Sequence, residues 1–234
     1  MTSGQLPLDL GHRAALDKAD FVVAAGNRDA VAWLDRWPDW PASALVIYGP
    51  AGCGKSHLVA VWRARSEARA LSADQMDGKS LAPLIDARGH LALDDAETML
   101  AVGNDAAETA LFHLYNATKA RGDTMLLTAH TPPVRWPLGL PDLASRLAAL
   151  PAIAVAQPDD GLMAAVLAKL FADRQLAVDD RVIDYLATHM ERSFATARQL
   201  VDELDREALA RSRPVTRPLA AELLAHMETQ PRVP

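Results

Sequence analysis

The residues best suited to chemistry form one glycine-rich run, Gly49-Pro50-Ala51-Gly52-Cys53-Gly54-Lys55-Ser56. This run fits the phosphate-binding pattern G-x-x-x-x-G-K-[ST] at every position. Its glycines let the backbone fold tightly, so that successive N–H groups point at an anion. Lys55 is placed to reach the β- and γ-phosphates, and the Ser56 hydroxyl to ligate Mg²⁺. The pattern predicts a site for a nucleoside diphosphate or triphosphate.

The segments on either side of the run support this interpretation. Leu45-Val46-Ile47-Tyr48 is typical of a buried strand, and His57 to Arg65 of a helix whose N-terminus favours negative charge. This strand–loop–helix context argues against a chance match. Cys53 stands at a variable position of the run, where a small filler residue is a simpler interpretation than a redox switch.

Two carboxylates follow a second apolar segment, Leu91-Ala92-Leu93. At such a strand end in a phosphate-loop protein, the first carboxylate holds Mg²⁺ and the second orients or deprotonates the attacking water. Asp94 fits the first role, although acidic residues that follow strands are often simply solvated. Asp95 is the candidate for the second role, in which the longer glutamate is more usual.

Three further polar residues are candidates for the same site. Thr128 and His130 stand at the end of another predicted strand, where a side chain would lie between the carboxylates and the γ-phosphate. An ordinary solvated loop is the alternative. Arg146 is the next cation along the chain. It would either stabilise charge on a neighbouring subunit's nucleotide or serve a structural role on its own helix.

Composition narrows the class of protein. The chain has 234 residues, 50% of them hydrophobic, which suits one α/β domain with a small appendage. Its net charge of −6 provides no basic excess, so we expect no sequence-specific DNA binding by the chain itself. No apolar run approaches the roughly 20 residues of a membrane span, and no signal peptide is evident. A single cysteine excludes an internal disulfide and favours the cytoplasm.

Apolar segments and helical patterns alternate up to residue 156, which predicts an α/β fold with a parallel sheet sandwiched by helices. From residue 157 onward the pattern is helical only. The expected helices are 159–174 with Asp159 as the N-cap, 179–190, 194–211 and a last one after Pro218. We therefore predict a tail at 1–19, an α/β nucleotide-binding domain at 20–156 and a helical lid domain at 157–234.

Over residues 20–227 the chain resembles the AAA+ ATPases, and among them the replication-initiator clade around DnaA. The resemblance is carried by the glycine-rich run, by Leu91 to Asp95, by Asp20 to Val23 with Gly26-Asn27, and by Leu143 to Leu147. It implies a P-loop NTPase with ADP or ATP and Mg²⁺ as cofactors. It also implies that Val22, Val23 and Asn27 line the adenine pocket, and that Arg146 is an arginine finger.

An N-terminal peptide, Gln5-Leu6-Pro7-Leu8-Asp9-Leu10, is similar to the Q-L-x-L-x-L segments that dock into the bacterial DNA sliding clamp. Leu6, Leu8 and Leu10 would fill an apolar groove, while the Gln5 amide makes directed hydrogen bonds. A tail that packs on its own domain is the alternative. The chain stops at Pro234, soon after the predicted lid, so we expect no initiator-type DNA-reading domain.

This combination resembles the Hda-like regulatory homologues of DnaA. The resemblance implies a protein that binds the sliding clamp, presents Arg146 to ATP-bound DnaA and suppresses re-initiation, with weak ATP hydrolysis of its own. A homo-oligomer is also compatible with this resemblance. The alternatives are an independent AAA+ ATPase, acting as a helicase loader or initiation factor, and a nucleotide-locked adaptor.

One position departs from the family pattern. The family usually places an arginine near the start of the third lid helix, where it touches the nucleotide. The alignment puts Ala195 there, with Arg192 and Arg198 about one helical turn away on either side. Either arginine is a candidate substitute.

Overall fold

The core of the protein is a five-stranded parallel sheet. The structure is a computed structural model and describes residues 22–76, 81–100, 104–211 and 213–229. The strands are β1 (Ala44–Tyr48), β2 (Arg69–Leu71), β3 (Leu91–Leu93), β4 (Met125–Ala129) and β5 (Ala152–Ala154). They lie in the order β2-β3-β4-β1-β5, and every pair is parallel. The predicted α/β class with a parallel sheet is confirmed.

Helices cover both faces of this sheet. They are α1 (Arg28–Asp35), α2 (Lys55–Ser66), α3 (Leu81–Asp86), α4 (Ala96–Met99), α5 (Asp105–Arg121) and α6 (Pro141–Ala148), with short 3₁₀ helices at Ala73–Met76 and Pro133–Arg135. Helix α2 agrees with the predicted helix from His57 to Arg65 to within two residues at either end. Sequence patterns set no bounds for the short helices α3, α4 and α6, because four to eight residues show little periodicity.

Strand β1 shows why the strands of this sheet have continuous apolar sequences. Ala44 and Val46 join a core with α5 and α6, whereas Leu45 and Ile47 join a second core with α1 and α2. Successive side chains of a strand point to opposite faces, and here both faces are buried. The central strands therefore have no solvent-facing side on which polar residues would alternate.

Residues after the sheet form four helices around a separate core. They are α7 (Asp160–Asp173), α8 (Asp180–His189), α9 (Phe194–Arg211) and α10 (Arg217–Thr229). Leu167, Phe171, Leu200 and Leu204 are almost completely buried among them.

The predicted N-cap of α7 is confirmed, because Asp159 Oδ1 accepts a hydrogen bond from the Leu162 N–H at 2.7 Å. None of the helices in the described ranges combines the length and apolar character that a membrane crossing requires.

The topology brings three polar segments to one edge of the sheet. Parallel strands end on the same side, and β1, β3 and β4 are neighbours. The glycine-rich run follows β1, Asp94 and Asp95 follow β3, and residues 128–131 form the end of β4 and the turn after it. Ligand sites of open α/β sheets lie at this carboxyl edge.

Candidate nucleotide-binding site

The glycine-rich run forms a tight loop between β1 and α2, and its glycines are required by geometry. Gly52 and Gly54 have φ angles of 75° and 99°, a region that side chains disfavour. A Cβ at Gly49 would lie 2.2 Å from the carbonyl oxygen of Val155, which is closer than any side chain tolerates. The backbone thus adopts the folded-back shape expected of a phosphate-binding loop.

Lys55 places its ammonium group inside this loop. The side chain is buried, and Nζ donates to the carbonyls of Gly49 at 2.8 Å and Pro50 at 2.9 Å. These neutral carbonyls satisfy the ammonium without cancelling its charge. A fixed positive charge at the start of a helix attracts an anion.

A cavity of 630 Å³ lies between this loop and the helical lid. Seven of the residues predicted to bind the nucleotide line it, namely Val22, Gly52, Gly54, Lys55, Ser56, His57 and Arg198. The lid provides the opposite wall, of which only Ala195 and Arg198 were singled out from the sequence. That wall consists of Val166, Lys169, Leu170, Asp173, Arg174, Phe194, Ala195 and Asp202. The volume and the mixture of apolar and polar walls suit a small-molecule ligand.

The lid wall carries charges of both signs. Lys169 pairs with Asp173 at 3.1 Å, one helical turn apart on α7. Arg174 at the end of α7 pairs with Asp202 on α9 and also donates to the Leu170 carbonyl. The Arg174–Asp202 pair joins the end of α7 to α9. The two pairs balance each other's charges, so Arg198 supplies the net positive charge of this wall.

The remaining predicted nucleotide-binding residues do not line the cavity. Asn27 is buried, and its side chain donates to the Val22 carbonyl at 3.0 Å and accepts from the Ala24 N–H at 2.8 Å. It therefore shapes the segment that carries Val22. Val23 packs against the core beside α1 and α2. Pro50, Ala51, Cys53, His130 and Arg192 also lie outside the cavity lining.

Cys53 is buried beneath the loop, as expected for a small filler residue. Burial raises the pKa of its thiol, and the nearby charge of Lys55 opposes this by a smaller amount. The thiol is therefore neutral at pH 7, which makes it a poor nucleophile.

The two lid arginines differ in position. Arg192 forms an ion pair with Asp160 at 2.7 Å and does not line the cavity. Arg198 lines the cavity and forms no ion pair within the part of the chain that the structure describes. Ala195 lies on the same face of α9, one turn earlier.

The start of α9 touches the phosphate loop directly. The Phe194 N–H donates to the Gly52 carbonyl at 3.3 Å. A Cβ at Gly52 would lie 2.7 Å from Ser193 Oγ, and one at Gly54 would lie 2.9 Å from the Phe194 ring. Lid and loop are packed so closely that only glycine fits at these two positions.

The carboxylates at the end of β3 form a network with β4. The Thr128 hydroxyl donates to Asp94 Oδ1 at 2.5 Å and accepts from the Asp95 N–H at 2.8 Å. Asp95 has a φ of 58°, and its Oδ1 lies 3.7 Å from His130 Nε2. The structure thus brings together Asp94, Asp95, Thr128 and His130, and none of these four residues lines the cavity.

Arg146 lies in the last turn of α6, away from the cavity lining. Its guanidinium group lies over the ring of Phe112 in α5, 5.2 Å from the centroid. The peptide Gln5, Leu6, Leu8 and Leu10, together with Asp20 and Phe21, lies outside the described residues.

The chain is similar in sequence and in fold to several known proteins. Residues 160–224 match the family model described as Hda, lid domain. An uncharacterised protein of Haemophilus influenzae is 29% identical over 186 residues, which cover 76% of this chain and 80% of that protein. Domain III of the replication initiation protein DnaA from Thermotoga maritima has a TM-score of 0.76 at 21% identity, covering 90% of this chain and 95% of that one. AMPPCP-bound DnaA from Aquifex aeolicus has a TM-score of 0.68 at 18% identity, covering 79% and 63%.

These matches confirm the fold class and the resemblance predicted from the sequence. The chain has the AAA+ fold found in DnaA, and its residues 160–224 match the Hda lid model. The solved relative from Aquifex aeolicus holds an ATP analogue, AMPPCP.

Proposed function

We propose that this protein is a negative regulator of chromosomal replication initiation. It binds the DNA sliding clamp and promotes ATP hydrolysis by the initiator DnaA through a trans arginine finger. The observation that carries the proposal is the Hda-type lid at residues 160–224, joined to a AAA+ fold similar to that of DnaA domain III. Fold alone does not determine function, so the proposal depends on the individual residues.

The cavity between loop and lid is the proposed site for ADP or ATP. Lys55 and the loop N–H groups would hold the phosphates, and the segment at Val22 would face the base. Mg²⁺ would be held by the Ser56 hydroxyl and Asp94, since hard cations prefer oxygen ligands. When bound, it neutralises phosphate charge. Among the described residues, no group of three or more His, Cys, Asp or Glu side chains is placed to hold a metal ion.

Arg146 is the proposed finger. Two observations support a role outside its own subunit. Arg146 does not line the cavity, and its guanidinium lies over Phe112 without an ion pair to any carboxylate among the residues that the structure describes. An arginine without an anionic partner retains its full charge for a partner's phosphate. Such a finger accelerates phosphoryl transfer by about 10³–10⁵ in well-studied GTPases.

Hydrolysis of DnaA-bound ATP, measured with clamp loaded on DNA, tests the proposal. The intact chain should accelerate it, and Arg146→Ala should abolish the acceleration while clamp binding stays intact. Arg135→Ala is the matched control, because Arg135 is an exposed arginine in the 3₁₀ turn that packs against α6. If Arg146→Ala stimulates like the intact chain, the finger assignment is wrong.

Clamp binding needs its own measurement. The variant Gln5→Ala/Leu6→Ala should lose affinity for the clamp while retaining nucleotide binding. If the intact chain does not bind the clamp, the peptide has another role, and the proposal that it recruits the protein to the replication fork is wrong.

An independent AAA+ ATPase, such as a helicase loader or initiation factor, is the second candidate. It is favoured by the assembled contacts of Asp94, Thr128 and Asp95 beside an intact phosphate loop. Rapid ATP turnover without clamp or DnaA would support it.

A further inference from the structure

We infer that Glu97, which no sequence pattern singles out, is a positioning residue for hydrolysis of ATP bound to this chain. It holds the turn after β4 so that His130 stays beside Asp95. The inference rests on the nucleotide-binding part of the proposed function and is independent of the clamp and of DnaA.

Glu97 lies in α4 and spans the gap to the turn after β4 with both carboxylate oxygens. Oε2 accepts from the His130 N–H at 3.0 Å and the Thr131 N–H at 2.9 Å. Oε1 accepts from the Thr131 hydroxyl at 2.9 Å. Hydrogen bonds to an ionised acceptor are about twice as strong as neutral ones. Two of them fix the backbone of the turn against α4, and the third holds the Thr131 side chain.

The same helix fixes Asp95, which stands immediately before it. Ala96 is fully buried and anchors α4, and the Asp95 N–H donates to Thr128 at 2.8 Å. Asp95 Oδ1 is shielded from solvent and has no hydrogen-bond partner in the ranges that the structure describes; His130 Nε2 lies 3.7 Å from it. Glu97 therefore controls the spacing of this pair from the His130 side, and Thr128 from the Asp95 side.

The reaction that needs this spacing is attack of water on the γ-phosphorus. The oxygen of the water forms the new bond, and the bond from the γ-phosphorus to the β,γ-bridging oxygen breaks, which leaves ADP and inorganic phosphate. The proton from the water passes to a carboxylate, for which Asp95 is the candidate. Glu97 cannot easily be that base, because its oxygens already accept three hydrogen bonds.

Single-turnover hydrolysis, with protein in excess over ATP, tests this assignment. Glu97→Ala removes all three hydrogen bonds and should slow the step about 100-fold, the effect of a small misplacement of reacting groups. Glu97→Gln should recover most of the rate, because its amide oxygen can accept both N–H groups and its NH₂ can donate to Thr131. Thr98→Ala, an exposed change in the same short helix, should keep the original rate. A Glu97→Gln variant as slow as Glu97→Ala would mean that the charge itself acts, which would overturn a positioning role.

A double-mutant cycle with His130→Ala separates positioning from general loss of structure. If Glu97 acts through His130, the double variant should be no slower than His130→Ala alone. Additive losses would overturn the inference, as would an intact chain that binds ATP without any hydrolysis in a single turnover. Nucleotide affinity is measured on the same samples by fluorescence titration. Failure of the intact chain to bind nucleotide refutes the proposed function instead.

Discussion

Phe194 and Gly52 join the lid to the phosphate loop through a backbone hydrogen bond of 3.3 Å. Phe194 is the first residue of α9, and its ring packs over Gly54 in the same loop. The groups that would hold phosphate are thus in contact with the lid through main chain and side chain. Occupancy of the loop and position of the lid are therefore physically coupled.

Gly54→Ala should disturb this contact. The new Cβ would lie 2.9 Å from the Phe194 ring at a residue whose φ is 99°. We expect a loss of about 1–3 kcal/mol in the free energy of unfolding, measured with urea, together with weaker nucleotide binding.

Gly89→Ala is the matched control for that change. Gly89 has a φ of 114°, and a Cβ there would meet nothing within 4 Å. It carries the backbone strain without the collision, so it should destabilise less than Gly54→Ala. Equal losses would show that the contact with Phe194 contributes nothing.

Arg198→Ala should weaken ATP binding about 10-fold or more, as expected for loss of a charge-assisted hydrogen bond. Arg192→Ala should have little effect, because that arginine is paired with Asp160 outside the cavity lining. Fluorescence titration with ATP and ADP compares the two variants. A larger loss for Arg192→Ala would mean that the wrong arginine has been assigned to the nucleotide.

Asp159→Ala removes the N-cap of α7 and leaves the Leu162 N–H without its 2.7 Å acceptor. The free energy of unfolding should fall by about 1 kcal/mol. Asp160→Asn, next in the chain, loses only a half-exposed ion pair and should cost a few tenths of that value. Urea unfolding of both variants checks this, and an equal cost would contradict the capping role.

Cys53 should react slowly with iodoacetamide at neutral pH, because burial raises the pKa of its thiol. The rate in the folded protein should lie well below the rate in urea, where the pKa returns to about 8.5. The folded pKa is the higher one, so the unfolded state loses its proton first as pH rises. The free energy of unfolding should then fall above that pH, and this part of the fall should vanish in Cys53→Ala. Equal alkylation rates in the two states would contradict the assignment.

The strong local patterns predicted most of the fold. The phosphate loop needs glycine at defined backbone angles, and the buried strands need continuous apolar runs, so both leave a mark on the sequence. The long lid helices do so as well, through their apolar faces.

The missing parts of the site depend on contacts between distant residues. Glu97 contacts residues more than thirty positions away in the chain, and the residues next to it in the sequence do not indicate this contact. Lys169 and Asp173 are an ordinary surface pair until α7 is placed against the loop. Helix periodicity alone could have identified Arg198 as the lid arginine that faces the cavity. Ala195, Arg198 and Asp202 are spaced by three and four residues on one face of α9, whereas Arg192 precedes the helix.

The phosphate loop is contacted by the chain on both sides of the first two lid helices. Val155 follows β5 and leads toward the lid, so the loop is touched at its start by the incoming chain and further on by Ser193 and Phe194. The segment between these two contacts carries α7 and α8, so a shift of the loop backbone would be felt at both ends of that helical pair.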